Sequence, residues 1–126
     1  MAYVYAKKEG MAEQAAETFD QAIQLAEEAR ALNPRDPYVN SDLALYYAKT
    51  NQVQLAVQRI ETAMALASEI AEIKATAAEV FELAKDRERA VRYVEEAIEL
   101  GYPLQRFSLN SWLAELLKDD RLNAGQ

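Results

Sequence analysis

The chain has 126 residues, half of them apolar, with three Gly, three Pro and neither Cys nor His. Without Cys and His it lacks thiolate nucleophiles, disulfides, imidazole acid-base chemistry and the usual zinc ligands. Its net charge of −7 works against binding nucleic acid or an anionic membrane surface. What remains is the composition of one mainly helical domain, 1–126, long enough to bury a core and needing no cofactor. No window approaches the ~18 consecutive apolar residues of a membrane span, and the first ten residues lack a basic region followed by an apolar run. A cytoplasmic chain is therefore expected.

In chain order, "AYVYAKK" predicts a short helix over 2–8, turned at Glu9-Gly10 into a helix over 12–32. Along the second helix Ala15, Phe19, Ala22, Ala26, Ala29 and Leu32 form one apolar stripe. So short and apolar a beginning is expected of a piece of a longer protein. "LNPRDP" is a firm boundary, with Asp36 as N-cap and Pro37 at the first helical position of a helix over 38–49. The polar run Lys49 to Gln52 then makes a turn without Gly, with Asn51 suited to the left-handed conformation of a helix end. The next apolar stripe begins near Gln54. Nothing from Leu66 to Lys85 breaks a helix outright, so one long helix over 54–84 and two helices meeting near Ser68 both fit. In the two-helix reading the second covers 70–84. Lys85-Asp86 forms the following turn, Asp86 caps the next helix, and Gly101 with Pro103 ends it. A last helix is expected within "SLNSWLAELLKDDRLNA", presenting Leu109, Trp112, Leu113, Leu116 and Leu117 to the preceding pair.

"LYYAKTNQVQLAV" at 45–57 and "EVFELAKDRERAV" at 79–91 lie 34 residues apart, with an aromatic, a polar turn and Ala-Val at matching offsets. The same spacing aligns Ala22/Ala56/Ala90, Ala26/Ile60/Val94, Ala29/Ala63/Ala97 and Leu32/Leu66/Leu100. Each set continues one helical stripe, and neither helix of a pair can bury its stripe alone, so pairs must stack. Small Ala residues at the contacts permit axes about 8–10 Å apart.

The period and helix pairing resemble the tetratricopeptide repeat family, carried by Asn40, Leu43, Ala44, Tyr47, Ala56, Ile60 and Ala63, then by Lys74, Ala77, Ala78, Phe81, Ala90, Val94 and Ala97. The junction Pro of that family stands at Pro34 but is Ser68 in the next unit. This resemblance implies an all-α right-handed superhelix of antiparallel pairs, with units 1–36, 37–68 and 69–102 and a capping helix over 104–122. It also implies a concave groove lined by Tyr38, Ser41, Asp42, Leu45, Ala48 and Lys49, then by Glu72, Ala75, Thr76, Glu79, Glu82 and Leu83. A protein or peptide would bind there, as in a scaffold. The family's carboxylate-gripping clamp is not expected, because Met11, Asp42, Glu72 and Thr76 stand where it needs basic or amide residues, and only Lys7 agrees. The stretch from Gly101-Tyr102-Pro103 to Asp119-Asp120-Arg121-Leu122 is similar to the end of such segments in bacterial multidomain signalling proteins, which implies a cytoplasmic docking or regulatory role.

Glu72, Glu79 and Glu82 fall close to one helical face and are expected to offer negative potential to a partner's basic segment, against the competing reading of a merely solvated face. Glu27-Glu28 and Glu95-Glu96 diverge by about 100° on a helix and make poor catalytic pairs. Trp112, Tyr46 and Tyr47 read as core. A non-catalytic module is expected, with self-association through Tyr3-Tyr5 or the Leu-rich last helix as the alternative.

Overall fold

The structure, a computed structural model, describes residues 12–110 and 113–123, with side chains for 18–110 and 113–122. The expected helix over 2–8, the Glu9-Gly10 turn, Met11, Lys7 and Trp112 lie outside the described residues. All regular structure among the described residues is helical: α1 (Ala12–Leu32), α2 (Pro37–Lys49), α3 (Val53–Leu66), α4 (Ala71–Leu83), α5 (Arg87–Glu99), α6 (Leu104–Ser108), a 3-10 turn (Leu116–Lys118) and α7 (Asp120–Asn123). No described helix is long and apolar enough to cross a membrane.

Local chemistry sets the boundaries. The Asp36 carboxylate accepts from the Tyr38 and Val39 amides at 2.9 and 3.3 Å, with Pro37 where a helix needs no amide donor. Asp86 likewise accepts from the Arg89 amide at 3.1 Å. At the other end of α2, the Gln52 amide donates to the Tyr47 carbonyl at 2.8 Å and the Asn51 amide to that of Ala48 at 3.2 Å. The same pair of bonds closes α4, from Asp86 to Phe81 and Lys85 to Glu82, and α5, from Tyr102 to Ala97 and Gly101 to Ile98. This closure requires a left-handed residue after the helix. Asn51, Lys85 and Gly101 supply it, at φ of 62°, 64° and 102°.

The continuous helix over 54–84 does not form. Ala67 turns to φ −152° and ψ 83°, and Ile70 is extended. Both pack against the core, so apolar contact holds the turn that Gly or Pro would otherwise mark.

The helices pack in neighbouring pairs: α2 against α3 and α4 against α5, with α1 on α2, and α4 on both α2 and α3. Buried in the middle are Leu43, Ala44, Tyr47, Ala56, Ile60 and Ala63 of one pair, and their counterparts 34 residues on, Ala77, Ala78, Phe81, Ala90, Val94 and Ala97. The fourth expected column is not core. Leu32 is 89% exposed, Leu100 is exposed and Leu66 only half-buried, because each stands at or just past a helix end, where the stripe has run off its partner.

The expected last helix also needs correction. The C-terminal segment is α6, the 3-10 turn and α7 rather than one helix, and Leu109 is 86% exposed instead of facing the core. Phe107, Leu113 and Leu116 are buried in its stead, with Leu117 and Leu122 partly so. A straight helix cannot present Phe107 and Leu113, six residues apart and thus about 240° round, to one surface.

Candidate partner-binding face

Burial of Leu43, Ala44 and Tyr47 turns the opposite side of α2 outward, exposing Tyr38 and Asp42 and leaving Leu45 half-buried. On α4 the same geometry exposes Glu72 and leaves Thr76 half-buried, while Ala75 and Glu79 are buried. Beside this face of α4, residues 102–110 and Leu113 border a cleft of about 410 Å³, with Glu72, Ala75, Thr76 and Glu79 on one wall and Tyr102, Arg106, Phe107, Leu109, Asn110 and Leu113 on the other. The predicted residues Glu72, Thr76 and Glu79 thus meet in one cleft. Tyr38, Asp42 and Leu45 line the adjoining face of α2 and are not part of it.

Two predicted acidic contacts are corrected. Glu79 is only 5% exposed: its Oε2 lies 3.2 Å from Lys49 Nζ and its Oε1 accepts from Asn110 Nδ2 at 2.9 Å. The Lys49 side chain is 1% exposed and does not line the cleft, so this residue is withdrawn from the expected lining, whereas Glu79 stays in the wall with its charge paired. Burial lowers the Lys49 pKa, opposed by the attraction and hydrogen bonding of Glu79. One pair therefore joins α2, α4 and the C-terminal segment. Glu82 accepts twice from Arg87, at 2.8 and 2.7 Å, and Arg87 also lies 3.7 Å from Asp119. Asp119 in turn takes two 3.0 Å bonds from the Arg121 guanidinium, which hold its carboxyl far below the usual range. Within the Asp119-Asp120-Arg121-Leu122 stretch, the charged pair and the partly buried Leu122 fasten the tail.

Asp42 stands apart. No hydrogen bond or ion pair is made by its carboxylate among the described residues, and burial, then the nearby Asp36 charge, raises its pKa. Burial and the Asp42 charge also raise the pKa of Tyr46, whose ring leans on Phe19 at 6.3 Å. Tyr47 is core, as expected, and its hydroxyl donates to Glu27. Burial and the Glu27 contact push the phenol up to about 12. Burial would raise the Glu27 carboxyl, but the bonds from Tyr47 and Arg30 outweigh it and lower its pKa.

Asn40, fully buried, donates to the Pro34 and Asp36 carbonyls at 3.1 and 2.9 Å and accepts from Arg59 at 3.0 Å. It ties the start of α2 to α3. Arg106, Tyr102 and Asn110 were missed as cleft residues, since nothing in their local pattern signals that the chain folds back on α4. Among the described residues no three acidic side chains gather to hold a metal ion. No family model and no curated protein matches the chain.

Proposed function

We propose that the chain is a tetratricopeptide-like repeat module of about three helix pairs and a C-terminal cap, which binds a peptide or partner helix in a concave groove running over α2 and α4. The observation carrying this reading is the 34-residue register of the buried columns, from Leu43/Ala77 to Ala63/Ala97, together with the packing of α2 directly on α4. Such stacking makes a rigid row from Tyr38, Asp42 and Leu45 to Glu72 and Thr76. A preformed row binds without a large ordering cost. Catalysis and cofactors have no part in this reading, and a cytoplasmic signalling protein is its natural setting.

The test is selection of a random peptide display library against the folded chain, followed by binding to Leu45→Arg and Thr76→Arg variants of confirmed helicity. Peptides that bind the wild type and are lost from both variants support the groove. Failure to select any, or equal binding to the variants, rejects it.

A second reading, self-association, draws on α1. Leu25 and Leu32 are 67% and 89% exposed and lie seven residues apart, on one helix face. Sedimentation across a concentration series settles this: a dimer abolished by Leu25→Glu supports it, and a monomer throughout rejects it.

A further inference from the structure

Two of the three carboxylates expected to make the face acidic are spent internally, Glu79 on Lys49 and Glu82 on Arg87, and elsewhere Glu96 is spent on Lys74 and Glu27 on Arg30. Asp42 is different. It lies in the middle of α2 and caps nothing, because Asp36 already does so, and it pairs with no cation among the described residues. Tyr38 and Tyr46 stand four residues before and after it, so the three side chains follow one another along the same helix face, about 6 Å apart per step. Tyr38 is 54% exposed, whereas Tyr46 is propped against Phe19. Glu72 on the packed neighbour α4 is likewise exposed and outside the ion pairs.

A carboxylate between two phenol rings matches a planar cation in both charge and face. The carboxylate accepts from a guanidinium while the rings, within about 6 Å, attract its positive face. We propose that the Tyr38-Asp42-Tyr46 row is the subsite for an arginine side chain of an extended basic peptide, with Glu72 taking a second basic residue further along. This rests on the groove reading above and names its partner's chemistry. Arginine suits it better than lysine, because a flat guanidinium both stacks on an aromatic ring and pairs with a carboxylate. Partial desolvation of Asp42 before the partner arrives is consistent with such a role, since a paired cation relieves it.

The probes are the display-selected peptides, synthesised with a fluorescent label and titrated by anisotropy at low and high salt. Variants are Asp42→Asn and Tyr38→Leu, with Leu45→Arg as the groove-blocking control. Asp42→Asn removes a partly desolvated charge with no ion-pair partner among the described residues, so its unfolding midpoint is expected to hold or rise. The subsite is supported if the peptides carry Arg, weaken at least about tenfold on Asp42→Asn, and show no further loss when the same Arg is also replaced by Ala. Peptides blocked by Leu45→Arg but indifferent to Asp42→Asn, or free of basic residues, overturn the subsite and leave the groove standing. No selected peptide, or none blocked by Leu45→Arg, brings down both.

Discussion

The two helix pairs α2–α3 and α4–α5 and the C-terminal segment 104–123 are built from equally apolar sequence, yet they solve burial differently. In the pairs, each helix packs on a neighbouring helix, so residues three and four apart are buried together, as with Leu43, Ala44 and Tyr47. The tail packs no long helix of its own against the pairs. The backbone breaks into short turns that aim Phe107, Leu113 and Leu116 at the same surface, and charged contacts through Asn110 and Asp119 fasten what apolar packing does not. A repeated stripe fixes a helix when another helix lies along it; an unrepeated one bends to whatever surface is there.

The largest test of that contrast pairs two phenylalanines. Phe81 is buried between the two helices of its pair, where it stacks on Tyr93 at 5.4 Å, so Phe81→Ala is expected to cost about 3–5 kcal/mol in urea unfolding. Phe107 is equally buried but belongs to the tail. Phe107→Ala should release amide protection over 104–123 in hydrogen exchange while α2–α5 stay protected. Equal global losses from the two would mean that tail and pairs unfold as one unit.

Next is the Lys49–Glu79 pair, which links the two regions. Glu79→Ala removes the carboxylate facing a buried ammonium and is expected to destabilise by about 3–5 kcal/mol, while Lys49→Met/Glu79→Leu should recover most of that. The pH response checks the cause. Burial already lowers the folded pKa of Lys49 from 10.5, and removing Glu79 takes away what opposes it. Between that lowered value and 10.5 the unfolded chain binds more protons, so the Glu79→Ala variant should gain stability as pH rises through this window. A flat profile would show that the ammonium was not the source of the loss.

Tyr47 gives the opposite sign within the paired helices. Its folded pKa is about 12 against an ordinary 10.0, so the stabilisation from its neutral phenol is complete below 10 and fades as pH climbs towards 12. The groups around it are Glu27 and Arg30 on α1 and Arg59 on α3. Tyr47→Phe should flatten the alkaline fall in urea midpoint, with a remainder from Tyr46, which shifts the same way. An unchanged fall would assign it elsewhere.

Much of this was legible in the sequence because it is periodic or local. The 34-residue columns, the Asp36 and Asp86 caps and the left-handed Asn51 each follow from a few neighbouring residues. Two kinds of feature were not. Which acidic residues keep their charge available depends on where distant bases reach: Lys49 and Glu79 are thirty residues apart, and their pairing withdraws Lys49 from the expected lining and spends the charge of Glu79 inside the cleft wall. The fold of the tail depends on the surface it meets, so four leucines and a Trp at helical spacing predicted one helix where the described residues form short turns. Asp42 could be placed on the outward face of α2, but that it bonds to none of the described bases becomes visible only once each of these is placed.

The smallest effect compares the three left-handed turns. Asn51 and Lys85 occupy equivalent places 34 residues apart, at φ of 62° and 64°, and Gly101 repeats the closure at 102°. Asn tolerates this conformation because its short side chain bonds locally, whereas Lys brings a Cβ and no such compensation. Lys85 is exposed, so packing does not confuse the comparison. Lys85→Gly removes the steric cost but adds freedom to the unfolded chain, and the balance is expected to be a gain of about 0.5–1 kcal/mol. Asn51→Gly should change little. Gly101→Ala should lose about 1 kcal/mol, and from conformation alone, since nothing lies within 4 Å of an added Cβ. Urea midpoints of the three variants measured together decide the point. If Lys85→Gly is neutral, backbone strain does not distinguish the two turns, and the polar run that replaces Gly in each is as good a stop signal as glycine itself.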